Sequence, residues 1–403
     1  MRFSSPALHA AIAVVSFSLL SSCGDAEKEA DTQNLSAEDL SAQDLQALQA
    51  LGYVDYVESA EDARVAGVLA HKPSAVQDGV NLFSIHSPCE ARLMDNEGKL
   101  LHSWSREGKV WGHVELLADG SIVVPTKEDD GSFLVKLNWE NELVWRKPIP
   151  AHHDVEVLPD GSLSTLSFQW RMVPSISQDI EVRDELIVQM NAEGEILAEH
   201  SLTDLLDASL DWKWETVEPR LFSRDKSIID LLHSNSVAWM QPGWEELNPL
   251  FAEGNVMVSM RHQNRIVILR PETGELLWQY GLGEILGQHD ATVLENGNIL
   301  LFDNGLSRGW SRAIEINPNT KEIVWQWSAL EKEAFYTAGR GAAQRLPNGN
   351  TLLLESDRGH AIEVTAEGKV VWEYFQPSED GRISTLVRMK RYPRSYLGSL
   401  LRN

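Results

Sequence analysis

A short phrase recurs six times along the chain, and it constrains the fold more than any other feature. Each copy places a charged residue and two apolar residues after a turn, and five of the six copies run on into a tryptophan. The copies begin at Gly98, Asn141, Gly194, Gly274, Lys321 and Gly368. Asp-Gly or Asn-Gly turns end at residues 120, 161, 297 and 349, and such pairs between β-rich runs are strong hairpin signals. The pattern predicts a repeated antiparallel sheet unit.

Units of this length with about four strands each are typical of propeller blades. We therefore predict an all-β, six-bladed β-propeller. The first copy lacks an inner strand, and the run 383–393 at the far end lacks a partner. We expect these N- and C-terminal strands to pair and close the ring, which removes exposed sheet edges. The recurrent tryptophans, at positions 104, 145, 278, 325 and 372, should fill the wedges between blades.

Two insertions interrupt the repeat, at about 168–183 and 202–251. The second contains Trp212, Trp214, Trp239 and Trp244. Long loops in a compact domain are often functional, and four tryptophans argue against disorder. We expect helical or loop segments that form an aromatic-lined pocket over one face of the propeller.

The N-terminal region predicts export. Residues 1–22 have the apolar run of a signal peptide, and Leu20-Ser21-Ser22-Cys23 resembles a bacterial lipobox, with Cys23 as the lipid-bearing residue. Residues 23–77 are predicted to form an acidic tether with a short helix, followed by the propeller over 78–395 and a tail over 396–403. These features predict a lipid-anchored protein of the bacterial cell envelope, on its periplasmic or outer-membrane face, that contacts the membrane only through its lipid.

Composition narrows the partners. The formal net charge of −25 and the lack of a basic stripe make nucleic-acid binding an unlikely role. Cys89 is the only other cysteine, so the mature domain cannot form an internal disulfide, and Cys89 is expected to be a small buried residue.

Two histidines occupy the same place in the repeat. His153 and His289 both precede a turn glycine by eight residues, so we expect them on one ring around the channel, facing each other. His113 is one residue out of this register, and strand alternation should turn it away. Gly112 and Gly341 hold the ring position in two other blades and leave space for a ligand.

His233 and Arg261 are expected to complete the site. His233 begins the blade after the second insertion, and Arg261 ends a β-run near the channel mouth. Three histidines and one arginine would form a small cationic well in an acidic protein. Imidazole can act as nucleophile, general acid or base, or metal ligand, so the residues alone leave the chemistry open. The sequence has no phosphate-binding glycine loop, zinc-protease helix or serine nucleophile elbow.

These phrases, in this order, resemble the bacterial arylsulfate sulfotransferase family over about residues 78–393. The matching segments are 152–154, 232–237, 259–261, 288–290, 301–305 with 311–313, and 345–350. The resemblance implies a six-bladed propeller that transfers a sulfuryl group from a phenolic sulfate ester to a phenol, without a nucleotide donor or other cofactor. It implies that His289 is the nucleophile that forms a sulfohistidine. It further implies that His153, His233 and Arg261 bind the sulfuryl oxygens and stabilise charge. Family members often carry a disulfide, which this mature chain cannot form.

Three other functions remain open at this stage. A metal-dependent hydrolase or lyase would use His153, His233 and His289 as ligands, although Asp154 and Asp290 should point away from them. A noncatalytic propeller would display a binding face from its lipid tether. A quinone-dependent dehydrogenase is disfavoured because six blades can be counted rather than eight.

Overall fold

The computed structural model describes residues 56–58, 66–209, 212–223, 226–378 and 382–402. The expected signal peptide, the lipidation site Cys23 and the tether helix lie outside these residues. Within them, no helix is long and apolar enough to cross a membrane.

The described residues form a six-bladed β-propeller, which confirms the prediction. Blade 1 joins both ends of the propeller: its inner strand, Leu386–Tyr392, pairs antiparallel with Val80–Ile85. From the channel outwards, the strands of blade 1 are Leu386–Tyr392, Val80–Ile85, Glu90–Asp95 and Leu100–Ser105. Those of blade 2 are Val110–Trp111 with Glu115–Leu116, Ile122–Glu128, Gly131–Leu137 and Leu143–Lys147. Those of blade 3 are His152–Val157, Leu163–Arg171, Glu181–Met190 and Ile196–Ser201.

Blades 4 to 6 follow in sequence order around the ring. The strands of blade 4 are Ser234–Trp239, Val256–Met260, Arg265–Arg270 and Glu275–Tyr280. Those of blade 5 are His289–Val293, Ile299–Asp303, Arg312–Ile316 and Ile323–Trp327. Those of blade 6 are Ala342–Arg345, Thr351–Glu355, His360–Val364 and Val370–Phe375. Inner strands all run in one direction, and we call the face at which they begin the upper face.

The tryptophans fill the wedges between blades as expected. Trp104 in blade 1 is fully buried, and its indole N–H donates to the carbonyl oxygen of Asn138 in blade 2 at 3.0 Å. Equivalent bonds run from Trp278 to Pro318, from Trp325 to Ala366 and from Trp372 to Asn96, each into the next blade. At these four interfaces the repeated aromatic residue therefore supplies both apolar contact and a directional bond. Cys89 is buried in the core that blades 1 and 2 share, also as expected.

One strand of the sequence assigned to the tether belongs to the propeller. Gly67–His71 pairs antiparallel with Val370–Phe375 and adds a fifth, outer strand to blade 6. Tyr56–Glu58 pairs with Arg382–Ser384 in a separate two-stranded sheet. The tail also packs, since Tyr396 donates its hydroxyl to the carbonyl of Leu116 at 2.9 Å.

The two insertions contain strands as well as a helix and loops. The first is an extension of a hairpin, because Leu163–Arg171 pairs with Glu181–Met190 over nine residues and stands above the upper face of blade 3. The second contains one short helix, Leu202–Asp207, and two strands, Arg220–Ser223 and Lys226–Ile229. Trp239 lies in the inner strand of blade 4 and donates to Ser164, while Trp212 is buried in the core between blades 3 and 4. Both indoles therefore pack against the core of blades 3 and 4.

Short 3-10 turns connect several strands and complete the secondary structure. They are Trp244–Glu246, Pro249–Phe251, Arg261–Gln263, Lys332–Ala334, Ser356–Arg358, Arg394–Tyr396 and Leu400–Arg402.

Candidate active site

The four residues expected to form the site gather at the upper end of the channel. The ring centroids of His153 and His233 lie 4.9 Å apart. Arg261 is buried in the 3-10 turn that follows its strand, and its charge acts on both His233 and His289. The fold therefore concentrates imidazoles beside a guanidinium, as the sequence predicted.

Two details of the predicted ring are wrong. His153 and His289 lie on blades 3 and 5, so they flank blade 4 and do not face each other across the axis. His233 is also out of register. Asp154, Ser236 and Asp290 occupy equivalent positions, because the side chain of each accepts from a backbone N–H of the next blade. The residue of blade 4 that matches the two histidines is therefore Asn235. His233 reaches the cluster from a backbone position with φ of +47°, just before its strand begins.

His289 is held in one tautomer. Its Nδ1 lies 2.8 Å from Asn304 Oδ1 and 3.0 Å from the carbonyl oxygen of Gly287. Asn304 cannot present its amide nitrogen instead, because that nitrogen donates to the carbonyls of Thr337 and Arg340 at 2.9 and 2.8 Å. Both neighbours of Nδ1 are acceptors, so Nδ1 carries the proton and Nε2 keeps its lone pair.

His289 is also held neutral. Burial and then the charge of Arg261 lower the pKa of His289 to about 3, against the opposing effect of the hydrogen bonds from Nδ1. Arg261 therefore carries the positive charge, and the imidazole of His289 beside it stays neutral. The result is an unprotonated Nε2 at neutral pH, which is the state a nucleophile needs.

His233 belongs to a polar network on blade 4. Its Nδ1 lies 2.6 Å from Asp230 Oδ2, and its ring stacks on His262 with centroids 4.6 Å apart. Burial opposes ionisation of Asp230, but His233 and Arg183 hold the pKa of that carboxyl well below its usual value. Burial keeps the pKa of His233 itself well below its usual value despite the carboxylate. A neutral His233 donates from Nδ1 to Asp230, and its Nε2 can accept a proton.

His153 sits between two other imidazoles. It lies in a β-bulge with φ of +57°, and the His152 ring centroid is 5.0 Å from its own. Burial, then His233 and His152, hold the pKa of His153 well below its usual value. His152 Nε2 lies 2.8 Å from the buried carboxylate of Glu185. His113 is turned towards Glu115, with Nε2 2.7 Å from the carboxylate, so its exclusion from the ring was correct.

Sequence reasoning gave no role to Asn304 or Asp230. Asn304 lies in the segment 301–305 that carried the family resemblance, so its presence was noticed but not its contact with His289. Asp230 precedes His233 by three residues. Both lie in the irregular backbone before the inner strand of blade 4, which brings their side chains into contact.

A metal would find a different set of ligands from the one expected. Asp230, His233 and His262 offer ligand atoms that lie within 4.8 Å of one another, whereas the metal hypothesis used His153, His233 and His289. Arg183 Nη1 lies 3.6 Å from Asp230 Oδ2, and a guanidinium at that distance disfavours a cation. His262 Nδ1 also donates to the backbone carbonyl of Asp230 at 2.6 Å. The cluster is better described as a hydrogen-bonded network.

The family model for Arylsulfotransferase (ASST) matches residues 113–376, a span that contains all four site residues. The chain belongs to the arylsulfotransferase family. Membership supports aryl sulfotransfer in general and implies small phenolic molecules as substrates. A search of curated proteins finds no match.

Solved structures share the architecture at low identity. A protein of unknown function from Bacteroides caccae is 17% identical, with a TM-score of 0.51 over 77% of this chain and 98% of its own. A catalytically inactive virginiamycin B lyase from Staphylococcus aureus, solved with quinupristin, is 10% identical, with a TM-score of 0.42 over 78% and 89% of the two chains. A streptogramin B lyase structure is 13% identical, with a TM-score of 0.44 over 84% and 97%. The first likeness concerns the fold alone, and the other two are too low to carry a conclusion.

Proposed function

We propose that this arylsulfotransferase moves a sulfuryl group from a phenolic sulfate ester to a phenolic acceptor through a sulfohistidine at His289. The observation that carries the proposal is the fixed tautomer of His289, in which Nδ1–H donates to Asn304 Oδ1 and to the carbonyl oxygen of Gly287, so that Nε2 is unprotonated. His233 also has an unprotonated Nε2 near the charge of Arg261, but its Nδ1 is bonded to the carboxylate of Asp230, which suits it to act as a base, whereas the Nδ1 of His289 is bonded to neutral acceptors.

In the first half-reaction, His289 Nε2 attacks sulfur. A nitrogen–sulfur bond forms, the sulfur–oxygen bond to the aryl group breaks, and its electron pair leaves with the phenolate. Arg261 and His153 donate to the sulfuryl oxygens, whose charge they stabilise in a site of low solvent access. Because His233 is neutral in the resting protein, the phenolate departs without a proton from it. The rate of this half should therefore depend steeply on the acidity of the departing phenol.

In the second half-reaction, the acceptor phenol replaces the departed one. Its oxygen attacks sulfur while its proton passes to His233 Nε2, and Asp230 balances the positive charge that forms. The nitrogen–sulfur bond breaks and its electron pair returns to His289. The proton on His233 then exchanges with solvent, which restores the resting state. Kinetics should be ping-pong, since the first product leaves before the acceptor binds.

Mass spectrometry of the intact intermediate tests the proposal. The protein is exposed briefly to 4-nitrophenyl sulfate, digested at alkaline pH, and searched for a peptide that carries one added SO3 on His289. His289→Ala should lose both the label and the transfer activity. His200→Ala is the matched control, since His200 lies on the outer strand of blade 3 away from the cluster.

Two outcomes would refute the mechanism. Full transfer activity in His289→Ala removes His289 as nucleophile, and a label on another histidine reassigns it. Stoichiometric metal in the active protein, with activity lost on its removal, would favour the metal-dependent hydrolase or lyase instead. Folded protein with no turnover on any phenolic sulfate, and with site variants that change nothing, would favour a noncatalytic binding propeller.

We also propose that the protein works at the bacterial cell envelope, held there by lipid on Cys23. The support is the lipobox-like segment 20–23 at the end of an apolar run. Metabolic labelling with a fatty acid should mark the wild-type protein and spare Cys23→Ser. Equal labelling of both would reject lipidation at that residue.

A further inference from the structure

Charged side chains cross the channel directly below the histidine cluster. Asp154 and Asp290 immediately follow His153 and His289, and Arg388 lies on the inner strand of blade 1. Arg388 Nη1 is 2.8 Å from Asp154 Oδ1, and Arg388 Nε is 3.3 Å from Asp290 Oδ1. Blades 1, 3 and 5 alternate around the ring, so one guanidinium bridges three of them across the axis.

Each aspartate uses its second oxygen to hold the next blade. Asp154 Oδ2 accepts from the backbone N–H of Val237 in blade 4 at 3.0 Å. Asp290 Oδ2 accepts from the backbone N–H of Ala343 in blade 6 at 2.9 Å. The bridge of Asp154, Arg388 and Asp290 therefore connects five of the six blades at one level of the channel.

The three side chains are nearly closed to solvent although they point towards the axis. Their exposed fractions are 3% for Asp154, 7% for Asp290 and 9% for Arg388. Channel-facing groups would be hydrated if the channel were open at this level. Burial this deep shows that the bridge fills the channel, so the well that holds the histidines is closed from below.

We infer that the bridge of Asp154, Arg388 and Asp290 is the floor of the active site, and that Arg388 is a positioning residue for His153 and His289. The inference rests on the proposed function for its catalytic consequence. Because each aspartate is covalently adjacent to a site histidine, the ion pairs fix the relative placement of the two imidazoles. Because the floor closes the channel, water from the lower face is kept from a sulfuryl group on His289. A phenol from the upper face then meets no competitor from below.

A bridge that only stabilised the ring would alter the stability of the protein but not the fate of the sulfuryl group. The two roles are therefore separated by the ratio of hydrolysis to transfer. The test compares Arg388→Met with Arg394→Met. Arg394 is a suitable control because it lies six residues further along the chain and its exposed side chain pairs with Asp78 at the surface. Released sulfate and sulfated acceptor are measured together, over a range of 4-nitrophenyl sulfate concentrations and at a saturating phenol.

Arg388→Met should lower kcat for transfer by about tenfold to hundredfold, with little change in KM, because the histidines lose their alignment. Its hydrolysis-to-transfer ratio should rise severalfold as water enters from below. Arg388→Lys keeps the charge but cannot reach both aspartates in the same way. Its kcat and its hydrolysis-to-transfer ratio should lie between those of Arg388→Met and the wild type. Arg394→Met should match the wild type. An unchanged ratio and an unchanged kcat in folded Arg388→Met would overturn the inference.

A second readout is independent of turnover. The amides of Val237 and Ala343 should exchange with deuterium faster in Arg388→Met than in Arg394→Met, since their acceptors lose the bridge and water gains access. If Arg388→Met does not fold, Asp290→Asn carries both measurements, because the amide oxygen can still accept from Ala343 while the charge on Arg388 loses a partner. If no phenolic sulfate is turned over by the wild type, the proposed function fails, but the exchange rates still decide whether the floor exists. Equal exchange in all variants would reject it.

Discussion

The state of His289 gives the sharpest prediction, because lowering the pH separates a buried nucleophile from an ordinary histidine. With its pKa lowered to about 3, His289 stays more than about 99% neutral at pH 5.5. A histidine with an ordinary pKa near 6.5 would be only about 10% neutral there. The rate of sulfohistidine formation should therefore be nearly constant between pH 8 and pH 5.5, whereas an ordinary histidine would lose about tenfold.

The assay is a single turnover with protein in excess over 4-nitrophenyl sulfate. The reaction is quenched and the products are separated, so that the ionisation of the released phenol does not affect its detection.

Burial of histidines also sets the lowest pH at which the folded protein can be assayed. His113 and His289 have pKa values lowered to about 4 and about 3, below the unfolded value, so the unfolded state binds more protons. Stability is therefore lost as the pH falls below about 6.5, by about 1.4 kcal/mol per unit and group. Circular dichroism at each pH keeps unfolding apart from protonation.

A variant supplies the positive control for this profile. Asn304→Asp would place a carboxylate against His289 Nδ1, which favours the imidazolium and should raise the pKa of His289. An acid limb should then appear in the single-turnover rate. An acid limb with its midpoint near pH 6.5 in the wild-type protein, while it remains folded, would refute the reasoning that burial and Arg261 keep the nucleophile neutral.

Three further predictions concern the site and the channel. Asn304→Ala should lower kcat by about tenfold, because one hydrogen bond that selects the tautomer is lost; wild-type turnover would deny Asn304 that role. Burial raises the pKa of Glu156 to about 8, so between pH 4.5 and 8 the folded state binds more protons and stability falls as pH rises. By urea titration, Glu156→Gln should be more stable than wild type by about 4 kcal/mol at pH 8 and nearly equal to it near pH 4.5, and a pH-independent difference would contradict this. Glu363→Ala breaks a buried ion pair with Arg391 and should cost about 3–5 kcal/mol in the same titration, and a loss below about 1 kcal/mol would show that the pair does not hold the ring closed.

The sequence predicted the fold well because the fold is made of local signals. Each Asp-Gly or Asn-Gly turn specifies a hairpin, and each tryptophan specifies a wedge that only a neighbouring blade can fill. The pairing of Val80–Ile85 with Leu386–Tyr392 followed from counting half-blades. The outer strand Gly67–His71 was missed because its acidic surroundings resemble a solvated linker, and its partner strand is more than three hundred residues away along the chain.

The site was predicted in membership but not in geometry, and the cause is the irregular backbone. His153, His233 and Asp290 all have positive φ, a conformation that non-glycine residues seldom adopt and that no sequence pattern signals. Each such residue breaks the alternation on which register counting depends. This is why Asn235 takes the place expected for His233.

Closure of the ring and assembly of the site depend on the same strand. Leu386–Tyr392 completes blade 1, and its Arg391 pairs with Glu363 of blade 6. Arg391 also donates to Asn81 of blade 1, and Glu363 also accepts from Asn350 of blade 6. Three residues earlier, Arg388 reaches the aspartates that follow His153 and His289. This strand thus both closes the propeller and completes the floor of the well. We therefore expect a chain that lacks it to misalign its histidines even if five blades form, so the histidine cluster should become competent only in the closed ring.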